Sequence, residues 1–225
     1  MSSLFHRLFA VLLVTAGAAC SVTETAEPVG LRTVPRIQEL QLADNNPVSR
    51  RSMAKIRLQY VELQGHHNPQ VEDKINHRIR DMIGMNQQFD GSEDLSMAIT
   101  RNELGKSWLT LVAEGSYYHH AALKPRQQVR SLVVNLQTGE PVTLADLFGP
   151  DYRAQFRQLA PQWFAGKPYT VNSEAVAAVE CFYWDNRYLY LCFSENTVAP
   201  ASEGIVTLPL SRTSIKPLLR DGSPL

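Results

Sequence analysis

The chain has 225 residues, with 22 basic and 22 acidic side chains and a formal net charge of zero. This balance provides no basic face to neutralise a phosphate backbone, so we expect no nucleic-acid partner. The length suits one domain with a lead-in segment, and a hydrophobic fraction of 44% is ordinary for a globular protein. Beyond the amino-terminal leader, no stretch is apolar enough to span a membrane.

Residues 1–19 have the pattern of a secretory signal. Arg7 precedes an apolar run from Leu8 to Val14, which is shorter than the roughly 20 residues that cross a bilayer. The ending Gly17-Ala18-Ala19-Cys20 resembles the lipobox of bacterial lipoproteins, in which the cysteine becomes the acylated first residue. Ser21 in the next position resembles an outer-membrane address. We therefore predict lipidation of Cys20 and a place on the periplasmic face of the outer membrane; the alternative is an ordinary secreted protein.

Residues 20–50 have the composition of a flexible tether. The segment contains three prolines and few aromatic residues, so it cannot bury a core by itself. Within it, only Ile37–Leu42 resembles a strand. We predict that the folded domain occupies residues 51–225.

The first half of this domain shows the periods of strands and of one helix. Asn68-Pro69 predicts a helix start, since asparagine caps helices and proline suits their first turn. Apolar residues at helical spacing continue from Val71 to Ile83. Alternating apolar residues predict four strands, at Ile56–Tyr60, Leu95–Ile99, Trp108–Tyr118 and Val129–Leu136.

The second half adds another helix and a hairpin. A helix is predicted from Gly149-Pro150-Asp151 to about Trp163, and a short one near Ile215–Leu219. Glu180–Trp184 and Tyr188–Phe193 predict a β-hairpin. Antiparallel strands interrupted by two helices indicate an α+β domain. We expect one antiparallel sheet with the two main helices packed on one face, and a short C-terminal helix.

The hairpin sets the relation between Cys181 and Cys192. A four-residue loop places the two cysteines directly opposite each other, whereas a three-residue loop places them on opposite faces. An exported protein meets an oxidising compartment, so the pair is a candidate disulfide. The alternative is two buried free thiols.

The sequence contains no complete catalytic or metal-binding motif. It has no G-x-S-x-G elbow, no H-E-x-x-H and no C-x-x-C. Histidines occur as neighbours at His66-His67 and His119-His120, but neighbours in a strand point to opposite faces and do not chelate one ion. No pair of carboxylates is selected by its spacing. We predict no catalytic residue, no metal and no cofactor; a hydrolase or deacetylase with an unrecognised site is an alternative.

Aromatic residues are crowded into two segments, 117–118 and 182–190. One face of each strand must be core, and the other exposes amphipathic rings of the kind enriched at binding surfaces. The alternative is that a second layer of secondary structure covers this face. The predicted binding surface consists of Tyr117, Tyr118, His119, His120, Trp184 and Tyr188.

Two strings in the chain resemble a known domain. Residues 138–148 read T-G-x-x-x-T-L-x-D-L-F, and residues 198–204 read V-A-P-x-x-x-G. With the flanking elements, residues 54–220 resemble the domain shared by the extracellular part of the anti-sigma factor RsiV and the accessory regions of some peptidoglycan deacetylases. The resemblance weakens after Tyr118, where the family usually has a Gly-Ala-His-like string and this chain has His119–Leu123.

The resemblance implies recognition rather than chemistry. In the anti-sigma factor the domain recognises lysozyme, and in the deacetylases it accompanies a separate catalytic domain. We therefore expect a monomeric, non-catalytic lipoprotein that binds an envelope partner. A lysozyme-like cell-wall hydrolase ranks first, ahead of a toxin or peptidoglycan, and a purely structural envelope lipoprotein is a further alternative.

Overall fold

The computed structural model describes residues 30–43, 53–89 and 91–225, so Cys20 and its leader lie outside it. The described residues form two β-sheets. The larger sheet has five strands in the order β1-β2-β3-β4-β5. Their bounds are β1 Arg32–Ala43, β2 Met53–Gln64, β3 Glu93–Leu104, β4 Trp108–His119 and β5 Arg126–Asn135.

Helix α1, Pro69–Ile83, connects β2 to β3 and allows these two strands to pair in parallel. The other neighbours in the larger sheet pair antiparallel. The Asn68 side chain accepts a hydrogen bond from the Gln70 N–H at the helix start, and Gly84 ends the helix with a φ of 92°. The helix buries its isoleucines on one face of the larger sheet. This confirms the helix predicted from Asn68-Pro69.

The smaller sheet has the order β6-β7-β8, with bounds Phe182–Trp184, Tyr188–Phe193 and Val206–Ser211. One of its faces packs against three helices, which are α2 Leu144–Phe148, α3 Tyr152–Trp163 and α4 Ser173–Ala177. Its other face packs on the larger sheet, where Cys192 meets Val112 and Val129. The order of layers is therefore α1, the larger sheet, the smaller sheet and the helical group.

The predicted α+β class is confirmed, but the predicted arrangement is wrong. We expected one antiparallel sheet with both main helices on the same face. Instead α1 packs on the larger sheet and α3 on the smaller one. Alternation identifies strands, but it does not say which strands share a sheet. The short C-terminal helix is confirmed as α5, Arg212–Ile215, followed by a 3₁₀ turn at Lys216–Leu218.

Strand β1 corrects the predicted start of the domain. It pairs with β2 along its whole length, although residues 20–50 were predicted to be a tether with a strand only at 37–42. β1 lies at the sheet edge and carries Pro35 and an Ile37 that is 65% exposed. Edge strands accept proline and polar residues, so their composition resembles that of a solvated segment. The rest of the predicted tether lies outside the described residues.

The longest helix of the described residues, α1, has 15 residues. Among residues 30–43, 53–89 and 91–225, no helix is both long enough and apolar enough to cross a bilayer.

Candidate functional site

The first half of the predicted binding surface lies at the end of β4, in the segment Tyr117–His120, which we call the corner. Tyr117 and Tyr118 point to opposite faces of the larger sheet, as successive strand residues must. Tyr117 lies on the α1 face and donates a hydrogen bond of 2.6 Å to Glu93 Oε2. Tyr118 lies near His120, with ring centroids 5.8 Å apart. The corner therefore does not present its rings on one surface.

His120 is a buried residue rather than a surface one. Its side chain is 1% exposed, and its Nε2 lies 3.1 Å from Asp94 Oδ1. The same oxygen accepts the Lys55 N–H at 2.9 Å, and the His120 N–H donates to the Ser92 carbonyl. These bonds tie the corner to β2 and to the start of β3. The prediction that His120 is part of an exposed surface is wrong.

Trp184 is also buried, which corrects its predicted place on the surface. Only 8% of it is exposed, and its ring contacts Phe182 and Trp108 with centroids 6.0 Å away in each case. Trp108 begins β4, whereas Tyr117 comes nine residues later near its end. At about 3.3 Å per residue, roughly 30 Å separates the two ends. The six predicted residues therefore do not form one surface.

A different set of side chains forms a continuous half-exposed surface, which we call the aromatic strip. It consists of Arg101, Tyr183, Tyr188 and Tyr190. Tyr183 and Tyr190 are directly opposite each other on β6 and β7, and their rings stack with centroids 4.6 Å apart. The Arg101 guanidinium lies 4.7 Å from the Tyr183 centroid, a cation–π distance. Tyr188, 37% exposed, extends the row from Tyr190 at 5.9 Å.

The strip follows from the alternation of side chains between the two faces of the hairpin, which the sequence predicts. Phe182 and Trp184 point to the core formed with the helices. Tyr183 and Tyr190 therefore point the other way, toward the outer face of the larger sheet. The larger sheet covers part of this face, so the alternative of a second layer holds in part and the two rings are half-buried. Of the residues predicted for the binding surface, Tyr188 belongs to the strip.

Arg101 reaches the strip because β3 contains a β-bulge. The register shifts between Ile99 and Arg101, so that Ile99 pairs with Ala113 whereas Arg101 pairs with Val112. Without the bulge, Arg101 would follow Leu95, Met97 and Ile99 onto the α1 face. A bulge re-aims the side chain after it. No pattern in the sequence marks this bulge, and our sequence analysis missed Arg101 for that reason.

Asp185 organises the turn at the end of the strip. Its carboxylate accepts hydrogen bonds from the Arg187 and Tyr188 N–H groups and, at 2.8 Å, from the Tyr190 hydroxyl. The backbone hydrogen bond from Arg187 lowers the pKa of Asp185 most. Burial, followed by the bond to Asp185, raises the pKa of Tyr190 to about 12. The strip is therefore held by hydrogen bonds at one end, and Tyr190 stays protonated at neutral pH.

Arg101 keeps its charge although it is partly covered. Burial is the largest single influence and lowers the pKa of Arg101, but the 2.6 Å ion pair with Glu103, together with the nearby Tyr183 and Asp185, raises it overall. Its side chain is 29% exposed, while its Nε is buried and has no acceptor among the described residues. The strip therefore combines a permanent cation with three tyrosines.

Cys181 and Cys192 lie behind the strip, between the two sheets. The pairs 182–191, 183–190 and 184–189 place the two cysteines directly opposite each other, and the Cys192 N–H donates to the Cys181 carbonyl at 2.9 Å. The four-residue loop is thus the one formed. Both are thiols in the structure. A hydrogen bond to Cys181, together with burial, raises the pKa of Cys192. A disulfide between them stays a prediction.

Two of the carboxylates that could be considered for catalysis, Asp146 and Glu195, have structural roles. Asp146 forms a capping box with Thr143 at the start of α2. Glu195 accepts the Gln127 N–H and pairs with Lys124 at 3.0 Å. Among the described residues, no group of three or more His, Cys, Asp or Glu side chains is arranged to hold a metal ion. We therefore take the strip as the candidate site.

The fold is shared by solved structures of low sequence identity. A DUF3298 family protein from Bacteroides fragilis matches with a TM-score of 0.61 and 12% identity, over 88% of this chain and 97% of that one. A DUF3298 family protein from Pseudomonas aeruginosa PAO1 matches with a TM-score of 0.54 and 8% identity, over 86% and 96%. No protein-family model and no curated protein matches the sequence. These structural neighbours belong to a domain family of unknown function.

Proposed function

We propose that this protein is a non-catalytic lipoprotein of the bacterial cell envelope that binds a protein partner through the aromatic strip. The observation that carries the proposal is the stack of Arg101 on Tyr183 and Tyr190, continued by the exposed Tyr188. Tyrosine and arginine are enriched among the residues that dominate binding energy at protein interfaces. The strip supplies both residue types, in a continuous row that is partly exposed to solvent.

The strip is also organised before a partner arrives. Tyr183 and Tyr190 hold each other by stacking, and Asp185 fixes the Tyr190 hydroxyl. A partner therefore loses little affinity to the ordering of these side chains. Arg101 lies over the rings with its charge intact, which favours a partner that offers an acceptor beside an apolar contact. Preorganised rings with one fixed cation support recognition more than a structural role.

The class of partner rests on the sequence resemblance. The strings at 138–148 and 198–204 resemble the RsiV-like domain, which implies a lysozyme-like cell-wall hydrolase as the first partner to test. The Cys20 lipobox supports the same compartment, because a lipid anchor holds the domain beside the cell wall and raises its effective concentration there. The DUF3298 neighbours support the fold of such a domain and carry no partner with them.

The test is calorimetric titration of the purified protein with a lysozyme-like hydrolase, together with an assay of hydrolase activity. We expect saturable binding that Tyr188→Ala weakens by about tenfold or more, the effect of losing a residue that carries more than 1.4 kcal/mol of binding energy. Leu123→Ala is the matched control, because Leu123 is fully exposed in the loop after the corner. It removes a comparable side chain away from the strip.

The outcomes separate the alternatives. If Leu123→Ala weakens binding and Tyr188→Ala does not, the strip is the wrong surface and the loop after the corner is the right one. If the protein sediments with purified peptidoglycan and ignores the hydrolase, the partner class is wrong. If neither the hydrolase nor peptidoglycan is bound, the proposed function fails.

A further inference from the structure

A row of polar side chains crosses the face of the larger sheet that lies away from α1. The register of the sheet places these residues directly opposite one another from strand to strand. Their neighbours along the strands include Ile56, Leu95 and Tyr117, which pack on the α1 side, so the row points to the other face. We call this set the polar row: Glu39 on β1, Arg57 on β2, Ser96 on β3, Ser116 on β4 and Gln127 on β5.

The smaller sheet leaves the polar row accessible. It packs instead on Val112 and Val129, further along β4 and β5. Arg57 and Ser96 are exposed, and Ser116 is half-buried. At a strand spacing of about 4.8 Å, the row spans roughly 19 Å from β1 to β5. A solvated face is common in antiparallel sheets, so its exposure alone does not identify a site.

A cavity of about 360 Å³ lies along the polar row. Four of the five row residues line it, from Glu39 on β1 to Ser116 on β4. Ser96 and Ser116 are directly opposite each other, and their short side chains leave a depression beside the longer Arg57. Neither serine hydroxyl forms a hydrogen bond with a described residue. The cavity therefore offers hydroxyl groups that can both donate to a ligand and accept from it.

The charges around the cavity balance. Arg57 and Glu39 form an ion pair of 3.2 Å, in which both side chains are more than half exposed. Lys55 and Asp94 add one charge of each sign to the lining. Such a surface has no net attraction for a polyanion or an anionic membrane. Its donors and acceptors complement a ligand that is polar but carries no net charge.

We propose that the polar row binds a neutral oligosaccharide. Sugar hydroxyls donate and accept hydrogen bonds, so they match the two serines, the Gln127 amide and the ion-paired Arg57 and Glu39. The row crosses all five strands, which favours several linked sugar rings over a single sugar. The proposal does not depend on the partner of the aromatic strip.

The experiment is calorimetric titration of the purified protein with two neutral probes, triacetylchitotriose and maltotriose. We expect saturable binding of at least one probe, with a Kd in the millimolar range or tighter. The affinity should change by less than about twofold between about 50 and 500 mM salt, because no net charge is neutralised on binding. A steep loss of affinity with salt would contradict the charge balance on which the proposal rests.

Three variants locate the binding surface. Ser96→Leu fills the depression and should weaken binding at least about tenfold, and Arg57→Ala should do the same, because a hydrogen bond to a charged group is worth about that change in affinity. Ser202→Leu is the matched control, since it makes the same change at an exposed serine outside the cavity, and it should leave the affinity unchanged. Circular dichroism checks that each variant is folded.

The outcomes decide for or against the polar row. Absence of saturable binding of both probes overturns the proposal, and so does an equal loss in Ser96→Leu and Ser202→Leu. Tyr188→Ala should bind the probe as the unmodified protein does. If Tyr188→Ala loses the probe and Ser96→Leu keeps it, the sugar binds at the aromatic strip and the polar row is the wrong surface.

Discussion

The corner and the hairpin are both rich in ring-bearing residues, yet they use them in different ways. At the corner, Tyr117 and His120 direct their polar atoms to carboxylates of β3, and these contacts hold the end of β4 in place. At the hairpin, Tyr183 and Tyr190 stack on each other and remain half-exposed. The difference teaches that aromatic content alone does not identify a binding surface. What decides is whether the rings share one face: Tyr117 and Tyr118 point to opposite faces of their sheet, whereas Tyr183 and Tyr190 stack on the same face, although Tyr190 also donates its hydroxyl to Asp185.

The largest expected effect tests the two faces of the hairpin. Trp184→Ala should lower the free energy of unfolding by about 3–5 kcal/mol, because it leaves a cavity in the core beside Trp108 and Phe182. Tyr188→Ala should cost less than about 1 kcal/mol, since the ring is at the surface. Chemical denaturation followed by circular dichroism measures both. Equal losses of stability would mean that the strip belongs to the core after all.

The next effect concerns the two cysteines at the base of the hairpin. The corner has no such pair. In the oxidising compartment proposed for this protein, oxidation of Cys181 and Cys192 should join two residues that lie directly opposite each other, a separation that a disulfide can span. Closing this loop should stabilise the fold by about 3 kcal/mol. Mass spectrometry should show a loss of two hydrogens, and the reduced protein should unfold at lower denaturant concentration. Two alkylatable thiols in protein purified from the periplasm would contradict the prediction.

The smallest effect tests the corner. His120→Ala removes a buried hydrogen bond to Asp94 and should lower the free energy of unfolding by about 1–3 kcal/mol. His119→Ala changes the neighbouring residue, which is less buried, and should be nearly neutral. Neither change should alter binding to the partner of the strip. A loss of binding in His120→Ala without a loss of stability would move the site back to the corner.

Local features of the fold could be predicted from the sequence because single segments encode them. Asn68-Pro69 and the isoleucine spacing specified α1, and the two aromatic runs indicated the hairpin, while its register stayed open between two loop lengths until the structure gave the pairing. The class followed from the mixture of strands and helices. These features depend on contacts between residues that are close in the chain.

The remaining features depend on contacts between distant residues, which no local pattern records. Alternation showed that Trp184 and Tyr183 face opposite ways, but the packing of α3 decides that Trp184 is the buried one. His120 is buried because Asp94, on another strand, lies beside it. The composition of β1 is equally typical of an edge strand and of a flexible tether. Only its pairing with β2 distinguishes the two.

The bulge in β3 has a consequence for how this domain diverges. A single inserted or deleted residue near Thr100 would change which side chain stacks on Tyr183 while leaving the strand paired on both sides. Binding specificity could therefore change in one mutational step without a change of fold. In a sequence alignment of such relatives, the arginines that stack on this tyrosine would then fall in different columns, although the strands superimpose in space. In this fold, a comparison of binding surfaces has to be made in space before it is made in sequence.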